Sequence, residues 1–449
     1  MKANDKRMLE VMRQVADADW SHVGRALQAG GCPNAGPTAR FLRACMAAGA
    51  NPNNIEMEAR LRGVEKRKFV QASIEEECRK AGIRPIDSVT LSRNFRKTNL
   101  RVFHAHLAAV FRADIKAALR ASPPTGRVLG IVDGTVKQTT ARPPKPGTKV
   151  PKHARRYHLV PTTSNNKDYP YGVGFAVGIV TWVSEDRQIT CPFMFHVHLA
   201  GDLATPLAQA QVIHEFLLPL KKRIHGILLD RGYDDHRLRN HLAHLGWTVG
   251  TRIRLGSGSA RNFVDPQTGE VRDLRTVAEE GAKNGPFKER MGHQQGERYQ
   301  FLAAERLVNA YLVSDTGELG DKSLIFLSVG IEIVGGKPVP DYTRTLAVVV
   351  RGPGDLARIA RLYFLRWRVE TFLEGLGDAA PKPRAKTIQA EVIQYLVLVF
   401  CTTRGLLLRL VLVAMGAGRK LLGEPMARYS AATLWRFALG LKRFDDPTD

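Results

Sequence analysis

Three carboxylic acids stand where a fold can bring them to a common point. Asp133 closes the apolar run Val128-Leu129-Gly130-Ile131-Val132, Asp230 closes Ile227-Leu228-Leu229, and Glu370 ends the segment Tyr363-Phe-Leu-Arg-Trp-Arg-Val-Glu370. The first two runs read as buried strands bounded by Gly and turn residues, and the third segment reads as a helix. Carboxylate oxygens are the ligands that hard Mg²⁺ or Mn²⁺ ions prefer. Two such ions about 4 Å apart activate a water or a 3′-hydroxyl and stabilise the leaving oxygen of an in-line displacement at phosphorus. The layout predicts a metal-dependent phosphodiester-cutting site in which Asp133, Asp230 and Glu370 are the catalytic metal ligands.

The elements that must position these acids are legible in outline. At about 100° per residue, Tyr363, Arg366 and Glu370 fall in one sector of their helix, with Leu365, Val369, Phe372 and Leu376 opposite. The polar sector is then either a functional face or a solvated one with an Arg366 to Glu370 pair at i,i+4 spacing; Glu374 shares the sector as a rival third ligand. Residues 121–250 alternate strand and helix. Strands are expected at Val128–Val132, Gly172–Trp182, Thr190–Val197 and Gly226–Leu229, with helices at Leu207–Arg223 and Asp235–Leu245. This predicts an α/β core whose first strands form a meander and whose later strands cross over through helices. Asp234 and Asp235 are expected to cap the second of those helices.

Outside that core the texture changes. Residues 1–120 read as a helical region. Within it, Phe69–Ala81, the Gly82–Pro85 turn and Asp87–Lys97, with Arg93, Arg96 and Lys97, match a helix-turn-helix DNA reader or simply two short helices. Residues 251–350 break into short alternating runs, Tyr299–Ala303, Tyr311–Ser314, Leu324–Ile333 and Thr343–Val350, and predict a mostly β insertion between the second and third acids. The last part of the core, with the Glu-bearing helix, is expected over 351–387, and a helical C-terminal region, a candidate for dimerisation, follows over 388–449. Val392–Met415 is apolar but interrupted by Gln394, Thr402, Thr403, Arg404 and Arg409, and reads as a buried helix rather than a membrane span.

Composition points to a polyanionic partner. The 449 residues carry 67 Lys and Arg against 43 Asp and Glu, a formal net charge of +24. Such a chain is drawn to a phosphate backbone in a salt-sensitive, largely sequence-independent way, although charge alone fits a basic ribosome-associated factor as well. The loop after the first strand, with Lys149, Lys152, Arg155 and Arg156 among prolines, is either a backbone-tracking segment or an ordinary solvated loop. Five cysteines without a C-x-x-C pair and a charged amino terminus with no apolar core behind it predict a cytoplasmic protein. No phosphate-binding loop consensus is present, so no nucleotide cofactor is expected. His196 and His198 share one strand face as a possible metal pair but have no third soft ligand in sequence reach.

Taken in order, Asp133-Gly-Thr135 after a strand, Leu229-Asp230-Arg231-Gly-Tyr233-Asp-Asp and Tyr363-x-x-Arg366-x-x-x-Glu370 resemble the DDE transposases of bacterial insertion sequences, in particular the insertion-sequence-four-like group. Spacings of 97 residues from Asp133 to Asp230 and 140 from Asp230 to Glu370 resemble members with a β-rich insertion before the last acid. The resemblance spans residues 126–390. It implies a ribonuclease H-like core interrupted by the β insertion, a triad holding Mg²⁺ or Mn²⁺, two ions in all, and cutting and joining of double-stranded DNA at transposon ends and target. It also implies a homodimer on paired ends and a nucleoid-associated bacterial setting. Tyr363 and Arg366 would contact phosphate near the scissile bond, Arg231 and Thr135 adjoin the acids, and Trp367 would stack on DNA or pack.

Two features depart from the family. Its helix usually carries a Lys seven residues after the Glu, and here Gly377 stands there; Lys382 and Lys386 lie beyond Pro381. Some relatives hold a flipped base against a Trp of the insertion, whereas this chain has no Trp between Trp247 and Trp367, leaving Tyr299, Phe301 or Tyr311 for that task. Two rivals remain: a ribonuclease H-like nuclease that cuts without joining, and an inactive, domesticated transposase that only binds DNA.

Overall fold

The computed structural model describes residues 20–47, 74–80, 82–139, 159–161, 171–184, 187–198, 205–253, 262–294, 297–313 and 319–370, with short stretches near 10–14, 72, 389–404 and 420–425. The basic loop 140–158, the segment 371–388 with Glu374, Gly377, Lys382 and Lys386, and most of the C-terminal region lie outside them.

The amino-terminal part is helical. Helices α1 (Ala35–Ala47), α2 (Ser88–Lys97) and α3 (Leu100–Ala121) follow a further helical stretch at 20–29. Capping sets their starts. The Asp87 carboxylate accepts from the N–H groups of Val89 and Thr90 at 3.0 and 2.8 Å, and the Asn99 side chain accepts from Arg101 and Val102 at 3.1 and 3.4 Å. Residues 74–80, the left-handed Gly82 (φ 63°) and α2 therefore give a helix, a turn and a second helix in which Arg93, Arg96 and Lys97 are exposed. Along α3, Phe103, Leu107, Phe111, Ile115 and Leu119 recur every four residues and are buried.

The described strands of this mixed α/β molecule form one large sheet and a separate short pair, Lys420–Leu421 with Glu424–Pro425. Twelve of them, β1 (Leu129–Thr139), β2 (Leu159–Pro161), β3 (Tyr171–Ser184), β4 (Arg187–Val197), β5 (Gly226–Leu229), β6 (Val249–Ile253), β7 (Asn262–Val264), β8 (Val271–Asp273), β9 (Phe287–Gln294), β10 (Glu297–Val313), β11 (Leu319–Val334) and β12 (Lys337–Arg351), run in the order β2-β3-β1-β5-β6-β12-β11-β10-β7-β8, with β4 paired to β3 and β9 to β10. β1, β3 and β4 are an antiparallel meander. β5 lies parallel to β1, and β6 parallel to β5. The connections into these parallel strands pass through α4 (Pro206–Leu217) and α5 (His236–His244). Covered on both sides, Gly226–Leu229 is buried throughout, as its unbroken apolar run requires.

The β-rich stretch differs from its sequence reading in two respects. The four short runs belong to three long strands of 17, 16 and 15 residues. Polar residues between the runs did not mark turns: Glu305 pairs across the ladder with Lys288 at 3.3 Å and with Arg290, so a charge is accommodated inside a continuous strand. Moreover, β12 bonds directly to β6, from Ala347↔Ile253 to Arg351↔Val249, so this stretch extends the same sheet. Helix α6 (Leu274–Asn284) packs its Leu274, Val277 and Ala278 against Ile325, Leu327 and Val349.

The period of two along β1 divides the core. Leu129 and Ile131 face a cluster with Leu228, Val348, Ile359 and Val369, while Val128 and Val132 face Trp182, Phe193, Leu217 and Trp247. Full burial of each such side chain contributes about 1.5–3 kcal/mol. Asp133 is the next residue in the odd-numbered series. Helix α7 (Leu356–Arg361), capped by Asp355 at 3.1 Å to Arg358 N, comes close to β5 because Gly226 has no side chain where Ile359 packs. Among the described residues no helix is long and apolar enough to cross a membrane.

Candidate active site

Parallel pairing places the first two acids side by side. Val132 is in register with Leu229, and the next N–H along β5, that of Asp230, donates to the Val132 carbonyl at 3.1 Å. Asp133 and Asp230 thus leave adjacent strands at the same level. Asp133 is 6% exposed; its Oδ1 accepts from Gly134 N at 2.7 Å. Asp230 opens a single 3₁₀ turn, Arg231–Tyr233, accepting from Gly232 N at 3.4 Å.

The third acid arrives from the far end of the chain. After α7 the backbone tightens into a 3₁₀ segment, Leu362–Arg366, before residues 367–370 resume an α-helix. Tyr363 fixes this segment to the sheet: its hydroxyl donates to the Leu229 carbonyl at 2.8 Å, and the Arg252 backbone N–H bonds back to it. One turn later Arg366 lies among all three acids. Its Nη1 is 3.1 Å from Asp133 Oδ2 and 3.0 Å from Asp230 Oδ1, and its Nη2 is 2.5 Å from Glu370 Oε1. Side-chain exposure rises from 8% at Asp133 through 28% at Asp230 to 51% at Glu370, so the group opens to solvent on the Glu370 side.

This corrects the helical-wheel expectation. Tyr363 is buried beside Val369, while Phe364 and Trp367 are exposed. A 3₁₀ turn advances about 120° per residue instead of 100°, which rotates Tyr363 into the core. In this structure its phenol is spent on the strand end, not turned outward toward a phosphate. The Arg366–Glu370 pair at i,i+4 spacing is present, but its arginine is largely buried against two further carboxylates and the face is not an ordinary solvated one.

The electrostatics follow from the crowding. Burial, and then the neighbouring Asp230, push the Asp133 carboxyl up to about 6, against a partial counter-effect from Arg366 and Gly134 N–H. Burial lowers the basicity of Arg366, but Asp230 and Glu370 outweigh it and leave the guanidinium more basic than usual. Among the described residues no three His, Cys, Asp or Glu side chains stand, as placed, in a group able to hold a metal ion. The three acids nevertheless offer hard oxygen donors around one cationic group, which is the donor chemistry that suits Mg²⁺ or Mn²⁺.

The other expected residues divide. Arg231 is exposed beside Asp230, Thr135 is half-buried two residues past Asp133, and Trp367 is exposed with the Arg368 guanidinium 4.1 Å above its ring. Lys149, Lys152, Arg155 and Arg156 lie outside the described residues. Asp235 caps α5, accepting from Arg237 N at 2.7 Å, whereas Asp234 instead forms a buried pair with Arg239 at 2.9 Å. Tyr299, Phe301 and Tyr311, the aromatics considered for a flipped base, all lie on β10, four strands away from β5 along the sheet.

Sequence reading missed two residues here. Arg252, on β6, has a half-buried guanidinium whose basicity is lowered by burial and which lies beside Tyr363, Arg231, Arg366 and Asp230. An arginine inside the apolar run Val249–Ile253 was the available signal. Tyr233 is buried on the other sheet face, its hydroxyl without a hydrogen-bond partner, and burial together with Asp133 and Asp230 makes its phenol a weaker acid than usual. It lines a small cleft with Ala176, His196, His198, Gln209, Val212 and Ile213. His196 and His198 have ring centroids 6.4 Å apart, with the buried His104 ring 5.9 Å from His196.

No protein-family profile matches the chain, and no curated protein does. Among solved structures it is similar to a chain of the piggyBac transposase synaptic complex with hairpin DNA, seen by cryo-electron microscopy, with a TM-score of 0.37 and 9% identity over 70% of this chain and 52% of that one. This chain therefore matches about half the length of that transposase chain, and so remote a likeness carries no argument about activity.

Proposed function

We propose that this protein is a DDE-type transposase that binds the terminal repeats of an insertion sequence, cuts DNA there and joins the freed end to a target. The observation that carries the reading is the convergence of Asp133, Asp230 and Glu370, from positions 97 and 140 residues apart, on the single guanidinium of Arg366. A structural ion pair needs one acid, not three drawn from distant parts of a chain.

The fold supports it. An antiparallel meander β4-β3-β1 continued by the parallel strands β5 and β6, with acids at the ends of β1 and β5 and a third on a following helix, is the arrangement expected of a ribonuclease H-like core. Divalent ions, when bound, would activate the attacking water or 3′-hydroxyl and stabilise the leaving oxygen. Asp133, Asp230 and Glu370 would hold them. Arg252, Arg231 and Arg366 gather positive charge where a scissile phosphate must lie, and Thr135 and Trp367 border that place. The net charge of +24 favours a DNA backbone, α2 with its exposed Arg93, Arg96 and Lys97 is the element we assign to reading duplex DNA, and the protein would work as a dimer on paired ends.

Joining separates this reading from a nuclease. Duplexes of the sequence flanking the protein's own gene, pre-cut to expose 3′-hydroxyl ends, are incubated with a supercoiled target and Mg²⁺ or Mn²⁺. Covalently joined products support a transposase. Nicks in every strand without joined products would mark a nuclease, and tight binding without any breakage a DNA-binding relic.

A further inference from the structure

We infer that Arg366 guards the acidic site as an internal counterion, so that divalent ions load onto Asp133, Asp230 and Glu370 only as its guanidinium transfers to a DNA phosphate. The inference rests on the reading of the three acids as metal ligands.

The geometry carries it. One nitrogen of Arg366, Nη1, touches both aspartates at 3.1 and 3.0 Å, and the other, Nη2, touches Glu370 at 2.5 Å. The cation therefore stands at the shared point of the three carboxylates. As placed, these acids are not among any metal-holding group of the described residues, and each has an oxygen on the guanidinium instead. An arginine stays charged at any relevant pH and carries only donors, so it cannot lose a proton to share the position with a second cation. A divalent ion and this guanidinium compete for the same oxygens, and one must leave.

Leaving is costly without a substitute anion. Three carboxylates close together, one of them almost wholly buried, repel one another once the counterion goes. In the other direction, a guanidinium withdrawn from its partners loses several charge-assisted hydrogen bonds. A phosphodiester replaces them, since its two free oxygens match the fork of N–H groups as a carboxylate does. The open side of the site, where Glu370 is half exposed, is the direction in which the side chain can move. Metal binding and DNA binding are thus coupled through one side chain, and the coupling is reciprocal: each ligand tightens the other by the same factor. The consequence is a chain that is not charged with catalytic ions until DNA lies across the site.

The test measures Mn²⁺ binding to the full-length protein by calorimetry and by the electron paramagnetic resonance of free Mn²⁺. Wild type, Arg366→Gln, Arg366→Lys and Asp133→Asn are compared with and without a duplex of the flanking sequence. Wild type should bind Mn²⁺ weakly alone and on the order of tenfold more tightly with the duplex. Arg366→Gln should bind tightly without DNA and gain little from it. Arg366→Lys, which keeps the charge but cannot reach three acids at once, should fall between them and serves should the glutamine variant fail to fold. Equal or weaker Mn²⁺ binding in both arginine variants than in wild type overturns the guard. If Asp133→Asn binds Mn²⁺ as wild type does, the carboxylate site itself is wrong, a separate failure.

Discussion

At the scale of single residues, Asp133 has the most unusual environment. Its carboxyl is raised from 3.8 to about 6 by burial and by Asp230. A folded-state acid that holds its proton more tightly than the unfolded chain does favours folding at low pH, and that contribution is lost as pH rises from about 4 to about 6. We expect metal-free Asp133→Asn to melt higher than wild type above pH 6, with the difference shrinking toward pH 4. A difference constant from pH 4 to 7 in parallel thermal melts would show that Asp133 is not strained by its neighbours. Arg252 belongs to the same scale. Arg252→Gln should lower cleavage on the order of tenfold or more while leaving the melting temperature nearly unchanged, because no carboxylate partner is orphaned by the change.

At the scale of elements, the segment from Asp355 to Glu370 brings Arg366 and the third acid to the ends of β1 and β5. Tyr363 ties it to the carbonyl of Leu229, one residue before Asp230. Tyr363→Phe deletes that bond to a buried carbonyl, so a loss of about 1 kcal/mol in denaturant unfolding is expected, together with slower cleavage. Unchanged stability would place the tyrosine hydroxyl elsewhere. For α2, replacing Arg93, Arg96 and Lys97 with Ala should weaken duplex binding and flatten its dependence on salt by about one unit of logarithmic slope for each phosphate no longer neutralised. A slope equal to that of wild type would remove α2 from the interface.

Legibility in the sequence also varied by element. Strands β1, β3, β4 and β5 were readable because their burial imposes an alternating or unbroken apolar pattern, and the pairing of Val132 with Leu229 made two distant acids neighbours. The wheel through Tyr363 failed because a 3₁₀ turn is a tertiary adjustment with no mark in the residue types. The long strands β10 to β12 do not read as continuous in the residue pattern, because Glu305 looks like a loop residue until its cross-strand partners are known. Arg252 stayed hidden for a related reason: its neighbours come from a loop and, in the case of Tyr363 and Arg366, from a helix more than a hundred residues away.

At the scale of the whole molecule, one sheet runs from the acid-bearing strands to the β-rich stretch, and the amino-terminal helices share a buried cluster with the face of β1 that leads to Asp133. Gln389, from beyond the third acid, donates to the carbonyls of Phe95 and Thr98 at the end of α2 at 2.8 and 2.5 Å. The element we assign to DNA reading is thereby tied to the chain that follows the helix bearing Glu370. The central claim is that Asp133, Asp230 and Glu370 cut DNA as one unit. The most direct measurement is nucleotide-resolution mapping of strand breaks in DNA flanking the protein's own gene, with Mg²⁺ or Mn²⁺, for wild type and for Asp133→Ala, Asp230→Ala and Glu370→Ala. Metal-dependent breaks at paired repeats in wild type, lost in each of the three variants while duplex binding persists, are the predicted result. Breaks that survive any one of these substitutions would contradict it.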